Sequence, residues 1–277
     1  MDINAYSEIK VNQVDKYNWD AQDYARNSQN QFQWAKELIP KLNLHGDEVL
    51  LDVGCGDGKI TAEIASCLQN GRVIGIDSSP QMINLAKGTP FMSKFPNLSF
   101  ELMDARDLRF NEEFDIIFSN AALHWVLDQK AVLEGVRRSL KPHGRLLFQM
   151  AGKGNAGAVL KIFDEMISLP KWQRYFEDFT FPYAFLDPPE YRRLLKQTGL
   201  VPNRVELFPK DMKFPSSAGM AGWIRTTWLP FTERVPAEQR ERFISEIVNQ
   251  YISLHPPGSD GAIHLDMIRL EVEANKP

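Results

Sequence analysis

The stretch Leu50-Leu51-Asp52-Val53-Gly54-Cys55-Gly56-Asp57-Gly58 carries the reading on which the rest of the chain turns. Val49 to Val53 is a short apolar run, the kind buried on both faces of a parallel sheet. Three glycines at alternate positions follow, and then Ile60, Ile64 and Leu68 at helical spacing. The order is strand, glycine loop, helix. Glycines let the backbone turn sharply and approach a ligand with no Cβ in the way. The helix behind the loop directs free N–H groups and the positive end of its dipole at whatever lies there. A second apolar run, Arg72 to Ile76, ends in Asp77, 25 residues after Asp52. A carboxylate at that strand end can accept both ribose hydroxyls of a nucleoside.

Downstream the pattern repeats. Ser78-Ser79-Pro80 is a helix start, with Met82, Ile83 and Ala86 as its buried face. Leu98 to Met103 is a third strand ending at Asp104-Ala105, and Phe114 to Phe118 a fourth, followed by Ser119-Asn120-Ala121-Ala122-Leu123-His124-Trp125. Asp128 caps the next helix, and Lys141-Pro142-His143-Gly144 turns the chain into a fifth strand, Arg145 to Met150. Five strand–helix units of this kind make an α/β fold with a doubly wound sheet. Gly152 to Gly157 is a joint, and the stretch from there to Leu200 reads as mostly helical and densely aromatic, either a helical cap over the strand ends or plain core. Asp187-Pro188-Pro189-Glu190 reads as a capping box. Val201 to Phe208 is a sixth strand, Ser216 to Trp228 and the segment after Pro236 are helices, and Ile263 to Ala274 alternates as a closing strand. Before the first strand, Tyr17 to Leu42 is helix-compatible and rich in aromatics, Gln and Asn. It is either a helix packed on the sheet edge or a lid with Tyr24 and Gln31 facing inward. The expected organisation is thus an N-terminal helical lid over 1–45, a nucleoside-binding core over 46–151, and cap insertions with the last two strands over 152–277.

Composition narrows the function. With 43% hydrophobic and 25% charged residues the chain is ordinary for a globular protein, and a net charge of −4 disfavours long nucleic acids as partners. No apolar run approaches the roughly 18 residues of a membrane-spanning helix, and Met1-Asp2-Ile3-Asn4 opens no secretory signal. Cys55 and Cys67 form neither a metal spacing nor a disulfide framework. The default is a reduced cytoplasmic enzyme, monomeric, with no metal.

The glycine spacing chooses the nucleoside. A dinucleotide site wants G-x-G-x-x-G, but counting from Gly54 that third position is Lys59 and the third glycine falls one place early. The form acidic-x-G-x-G-x-G, with Asp52 as the acidic residue, resembles motif I of the class I S-adenosylmethionine (SAM) methyltransferases. Residues 119–126, the Tyr24…Ser28…Gln31 spacing and Trp223-x-Arg225-x-Thr227 further resemble the trans-aconitate and juvenile hormone acid methyltransferase group. That resemblance implies a seven-stranded, mainly parallel, Rossmann-like sheet with SAM as cofactor and S-adenosylhomocysteine (SAH) as product. It implies that Asp52 meets the methionine end, and that Gly54, Cys55, Gly56, Gly58, Asp77, Ser78 and Met82 belong to the cofactor set. Asp104 and Ala105 fall to the adenine, and Asn120, Ala121 and Tyr24 complete the cofactor set. In the juvenile hormone group the counterparts of Gln31 and Trp125 hold the substrate carboxylate, whereas the aconitate enzymes often carry Gln where His124 stands.

The expected reaction is O-methylation of a small carboxylic acid to its methyl ester. A carboxylate is ionised at neutral pH and needs no general base. Trp125 would exclude water and face the cationic sulfonium, while Gln31, His124 or Arg225 would donate to the second oxygen. Arg225 can equally be a solvated surface residue and His124 a structural strand-end histidine. A hydroxyl or amine acceptor would make His124 the proton acceptor. The acceptor position lacks the Asn/Asp-Pro-Pro-aromatic signature of base amino-methylation after the fourth strand. A catalytically silent SAM-binding module and an NAD-dependent oxidoreductase are the readings from other classes.

Overall fold

The computed structural model describes residue 23 and residues 29–277. Helix α1 (Gln29–Leu38) runs through a 3-10 turn (Ile39–Leu42) into β1 (Val49–Val53). There follow α2 (Lys59–Cys67), β2 (Arg72–Asp77), α3 (Pro80–Lys87), α4 (Phe91–Lys94), β3 (Leu98–Leu102) and β4 (Phe114–Asn120). A 3-10 turn (Leu123–Trp125) leads to α5 (Gln129–Ser139), β5 (Leu140–Ala151), α6 (Gly157–Ile167), α7 (Pro170–Gln173), α8 (Pro188–Gln197) and β6 (Val201–Phe214). The chain closes with α9 (Ser217–Thr227), α10 (Leu229–Thr232), α11 (Ala237–Leu254) and β7 (Ile263–Asn275).

The strands form one sheet in the order β3-β2-β1-β4-β5-β7-β6. Strands β1 to β5 are mutually parallel, and β7 lies antiparallel between β5 and β6. The chain winds outward from β1 in both directions. A crevice therefore opens between the carboxyl ends of β1 and β4, where strand order reverses. Three apolar clusters fill the interior. Two cover the faces of the parallel strands, and the third, around Trp172, Trp223, Trp228 and Phe163, joins the far end of the sheet to helices α6, α7 and α9 to α11. Cutting one such aromatic ring to alanine costs about 3–5 kcal/mol.

The local rules hold where they were strongest. Ser79 accepts from the Met82 N–H, Asp128 from that of Ala131, and Asp187 and Glu190 complete a reciprocal capping box. Three expectations need correcting. The described residues 103–113 link β3 to β4 by turns with no helix, so four of the first five strands, not five, are followed by one. Residues 174–187 are irregular and not helical, because their aromatic side chains are held by ring-on-ring contacts such as Phe179–Phe231 (4.6 Å) and Tyr183–Trp228 (5.3 Å). Strand β6 continues six residues past Phe208, its pairing with β7 running unbroken from Phe208↔Arg269 to Phe214↔Ile263. That extension projects beyond Ala151↔Arg269, where β5 stops, and forms a wall past the sheet's carboxyl end. Among the described residues no helix is long and apolar enough to cross a membrane.

Candidate active site

Three connected spaces lie at the carboxyl ends of the parallel strands and meet at Ala121. The largest, a cleft of about 870 Å³, takes in Gly54, Gly56, Asp77, Ser78, Met82, Asp104, Ala105, Asn120 and Ala121. Two glycines make its floor possible. Gly54 sits at φ +76°, and a Cβ there would fall 2.2 Å from that of Ala122; Gly58, at φ +77°, would drive one to 2.4 Å from the Phe100 ring. Gly58 does not line the cleft. It is the residue preceding α2, so its contribution is the turn and the close packing behind it.

Asp77 is pre-oriented by two backbone donors, the N–H of Gly56 (3.0 Å) and of Ser79 (2.8 Å). Burial nevertheless raises its carboxyl above the usual range, against those two bonds. Asp104 accepts from both the backbone N–H of Arg106 (2.8 Å) and its guanidinium (2.5–3.1 Å). Burial works to raise this carboxyl too, but the Arg106 bonds and charge outweigh it and hold it below its ordinary value.

A second space of about 500 Å³ lies beneath the glycine loop and includes Asp52, Cys55, Asn120 and Phe32. Asp52 is buried and accepts the Thr61 hydroxyl of α2 at 2.7 Å. Burial, with Asp77 adding its charge, pushes the Asp52 carboxyl up to about 7 despite that bond. Asp52 is thus a buried carboxyl set to meet a cation.

The third space, an inner chamber of about 490 Å³, shares Ala121 and Trp125 with the cleft. Ala121 is left-handed at φ +54°, which costs a non-glycine residue about 1–2 kcal/mol, and its N–H is fixed by the Gln149 carbonyl at 2.8 Å. His124, Tyr183, Phe185, Trp34, Trp223 and Trp228 contribute to the walls. Trp125 stands between cleft and chamber, its ring 4.9 Å from that of Tyr183. His124 is buried, and both desolvation and the nearby Arg269 charge hold its imidazole well below its ordinary pKa, hence neutral. Its Nδ1 has no hydrogen-bond partner among the described residues.

Most of the residues expected at the site are therefore brought together. Arg225 is not: its guanidinium pairs with Asp23 (2.8 and 3.2 Å) and lies 3.8 Å from Glu241, and it lines none of the three spaces. The cation that does line the chamber is Arg269 of β7, only 3% exposed and 5.5 Å from the Trp34 ring. An arginine pointing to the buried face of the closing strand was the available signal. Thr61, one turn into α2 and nine residues after Asp52, was also missed. Tyr24 and the side chain of Gln31 lie outside the described residues, although the Gln31 backbone belongs to α1.

Comparison with known proteins agrees with this geometry. A methyltransferase domain family matches residues 44–178. An uncharacterized methyltransferase of Schizosaccharomyces pombe is 32% identical, covering 93% of this chain and 98% of its own. A trans-aconitate 2-methyltransferase of Methylobacterium radiotolerans is 28% identical over 93% of this chain and 98% of its own. A juvenile hormone acid O-methyltransferase of Drosophila melanogaster is 27% identical over 76% and 73%. Among solved structures, a Haemonchus contortus phosphoethanolamine N-methyltransferase in complex with phosphomonomethylethanolamine and SAH superposes at a TM-score of 0.58, with 18% identity over 93% of this chain and 57% of that one. The glycine loop, the strand-end carboxylates and the near full-length relatives converge: the chain belongs to the class I SAM-dependent methyltransferases, in the group that includes the trans-aconitate and juvenile hormone acid enzymes.

Proposed function

We propose that this enzyme esterifies a small carboxylic acid, its acceptor seated in the inner chamber and its cofactor in the cleft. The observation that carries the reading is the chamber itself. It is walled by aromatic rings, contains one buried guanidinium, and opens onto the cleft at Ala121 and Trp125. Two relatives in the same group act, by name, on carboxylic acids.

The cleft residues fit the cofactor. Asp77, held by two N–H groups, has oxygen lone pairs left for ribose hydroxyls. Asp104 and the Ala105 backbone would take the adenine edge, with Ser78 and Met82 along the same wall. Asp52 and the backbone of Gly54, Cys55 and Gly56 would hold the amino-acid end, an ammonium against a carboxyl that gains by ionising. When bound, SAM supplies a sulfonium methyl, transferred as a carboxylate oxygen forms the new C–O bond and the C–S bond breaks to a neutral thioether.

The chain's own residues then have three tasks. Trp125 and Tyr183 exclude water, because a hydrated anion attacks poorly. Neutral His124 and Gln31 donate to the second oxygen, and no proton leaves the acceptor. Residues 1–45 act as a lid: in their described part Phe32 lies over the glycine-loop space and Trp34 over the chamber. The test is a panel of carboxylic acids with methyl-labelled SAM, scored by base-labile methyl release. Ester formation supports the reading. Methyl transfer to hydroxyl or amine acceptors with no labile product would overturn it.

A further inference from the structure

The loop that leaves β5 is clamped beside the inner chamber by one buried side chain, Asn155, which is 3% exposed. Past Ala151↔Arg269, the next pair of the β5–β7 ladder would join Gly152 to Ile268. The Gly152 N–H does donate to the Ile268 carbonyl (3.0 Å), but the Gly152 carbonyl is turned to the Asn155 N–H (3.0 Å). The Asn155 side chain takes its place: Oδ1 accepts from the Ile268 N–H at 3.2 Å. Ala156, the next residue, is left-handed at φ +51°, a conformation that costs a residue with a Cβ. The clamp uses half of the amide. An asparagine carries an acceptor oxygen and an NH2 with two donors. The Ile268 N–H must meet the oxygen, so the orientation of the amide is fixed and Nδ2 takes the other side. Among the described residues none accepts from Nδ2, and Asn155 lines the chamber. A buried NH2 without a protein acceptor is one that meets a ligand or water.

The sheet places this donor next to the reacting centre. Ala121, where cleft and chamber meet, follows the end of β4 and gives its N–H to the Gln149 carbonyl of β5. Neighbouring strands lie about 5 Å apart, and Asn155 sits in the loop that continues β5. The chemistry argues the same way. A full cation on the reacting carboxylate stabilises the anion that methylation consumes, and so deepens the ground state more than the transition state. A neutral N–H orients the same group at a smaller cost. Resting on the esterification reading above, we propose that Asn155 is a substrate-binding residue: its Nδ2 donates to an acceptor oxygen, the non-reacting one of the carboxylate, while its Oδ1 stays on Ile268. One side chain then fixes the loop and the acceptor together.

The test compares the full chain with its Asn155→Asp and Asn155→Ala variants. Methyl transfer from labelled SAM is scored on hexanoate, benzoate, 1-hexanol and hexylamine, with base-labile release marking esters. Asn155→Asp keeps an oxygen for the Ile268 N–H and replaces the NH2 by a carboxylate oxygen. Asn155→Ala removes both. The two roles of the side chain therefore predict opposite orders. In melting temperature, Asn155→Asp should stay near the wild type and Asn155→Ala should fall below it, because the Ile268 N–H loses its acceptor. In kcat/KM for the acid, Asn155→Ala should lose about three- to tenfold, since a water can donate in place of the amide. Asn155→Asp should lose about 100-fold, since a like charge then faces the carboxylate. SAH affinity should change less than about threefold in either variant, because Asn155 lines the chamber and not the cleft. If Asn155→Ala does not fold, Asn155→Asp alone decides. Wild-type esterification by Asn155→Asp, or losses that follow the order of the melting temperatures, would overturn the donor and leave Asn155 a loop clamp. The two readings fail separately. Acids esterified by the wild type and equally by Asn155→Asp defeat the donor alone. Transfer to hexanol but not to acids, with Asn155→Asp still impaired, keeps the donor and defeats esterification alone. Transfer to hexylamine that quickens in Asn155→Asp defeats both.

Discussion

The cofactor cleft draws all of its lining from residues 53–126, in the loops that end four adjacent parallel strands. The inner chamber draws on Trp34, His124, Asn155, Tyr183, Met212, Trp228 and Arg269, spread over most of the chain. Each cleft residue is positioned by its own strand end: Asp77 by β2, Asp104 by β3, Asn120 by β4. Chamber residues are positioned by packing between elements distant in sequence, as where α9, α6 and the β6–β7 extension share one apolar cluster. A site made of strand ends is set by backbone topology and tolerates change elsewhere. A site made of packed side chains is set by everything around it, and so can differ between relatives that keep the same cleft.

The sharpest way to break this comparison is to remove the N-terminal segment. Deleting residues 1–30 leaves β1 to β7 and the cleft lining intact but removes most of the proposed lid and the Asp23–Arg225 pair. Turnover should be lost altogether, while calorimetry should show SAH binding within about tenfold of the full chain, the equivalent of roughly 1.4 kcal/mol. Full-rate methyl transfer by the truncated protein would show that the segment is fixed structure and that the chamber closes without it.

The next effect belongs to the cleft. Asp77→Ala should weaken SAM by about 1.5–3 kcal/mol, roughly ten- to 150-fold, the loss expected for hydrogen bonds to a charged group. Part of that loss comes from stranding the Gly56 and Ser79 N–H groups, so Asp77→Asn should fall between the two. An Asp77→Ala protein that binds SAM normally would mean that the ribose is held elsewhere.

The same contrast explains what could be read in advance. Motif I, the strand-end carboxylates and the helix caps at Ser79, Asp128 and Asp187 are local signals, each carried by residues within a few positions of one another. They place the cleft without any tertiary information. The chamber has no such signal. Arg269 comes to face His124 only because β7 turns back between β5 and β6, and in the sequence it is one polar residue in an alternating strand. Arg225, one of three candidate donors and equally readable as a surface arginine, sits in a suggestive short pattern, and the turn of α9 directs it to Asp23. The aromatic density of the stretch to Leu200 suggests helix, but over 174–187 its rings pack on one another and on α10 without helical backbone. The third strand's missing helix follows the same logic: residues 103–113 are occupied by the Asp104–Arg106 clasp and by burial of Leu108 and Phe110.

Asp52 offers a pH signature that belongs to the cleft alone. Its carboxyl in the free protein titrates at about 7, raised by burial and by the Asp77 charge against the Thr61 bond, whereas an unfolded aspartate titrates near 3.9. The folded protein therefore holds the extra proton between those two values, and this group's contribution to stability is greatest at low pH and declines as pH rises from about 4 to 7. Binding an ammonium there requires the ionised form. SAH affinity should rise with pH by up to about tenfold per unit below 7 and level off above it, with up to one proton released per molecule bound. Titrations in buffers of different ionisation enthalpy measure that proton directly. Asp52→Asn should abolish the release and flatten the profile. Proton uptake in place of release would show that Asp52 stays protonated beneath the ligand.

The smallest expected effect tests the chamber at the atom nearest the chemistry. Burial and the Arg269 charge keep His124 neutral, so between pH 6 and 8 it carries no titrating charge and the acceptor carboxylate is ionised throughout. The rate of methyl transfer should then be level over that range. His124→Gln substitutes one neutral donor for another of similar reach, and the loss should stay within the net worth of a hydrogen bond, about 0.5–1.5 kcal/mol or roughly two- to tenfold. His124→Leu should cost more than His124→Gln, since it removes the donor from a dry site. SAM affinity should change in neither variant, because His124 lines the chamber and not the cleft. A rate that climbs tenfold per pH unit and vanishes in His124→Gln would assign the histidine as a base. A base implies a proton to remove, and a proton to remove implies a hydroxyl or amine acceptor in place of a carboxylate.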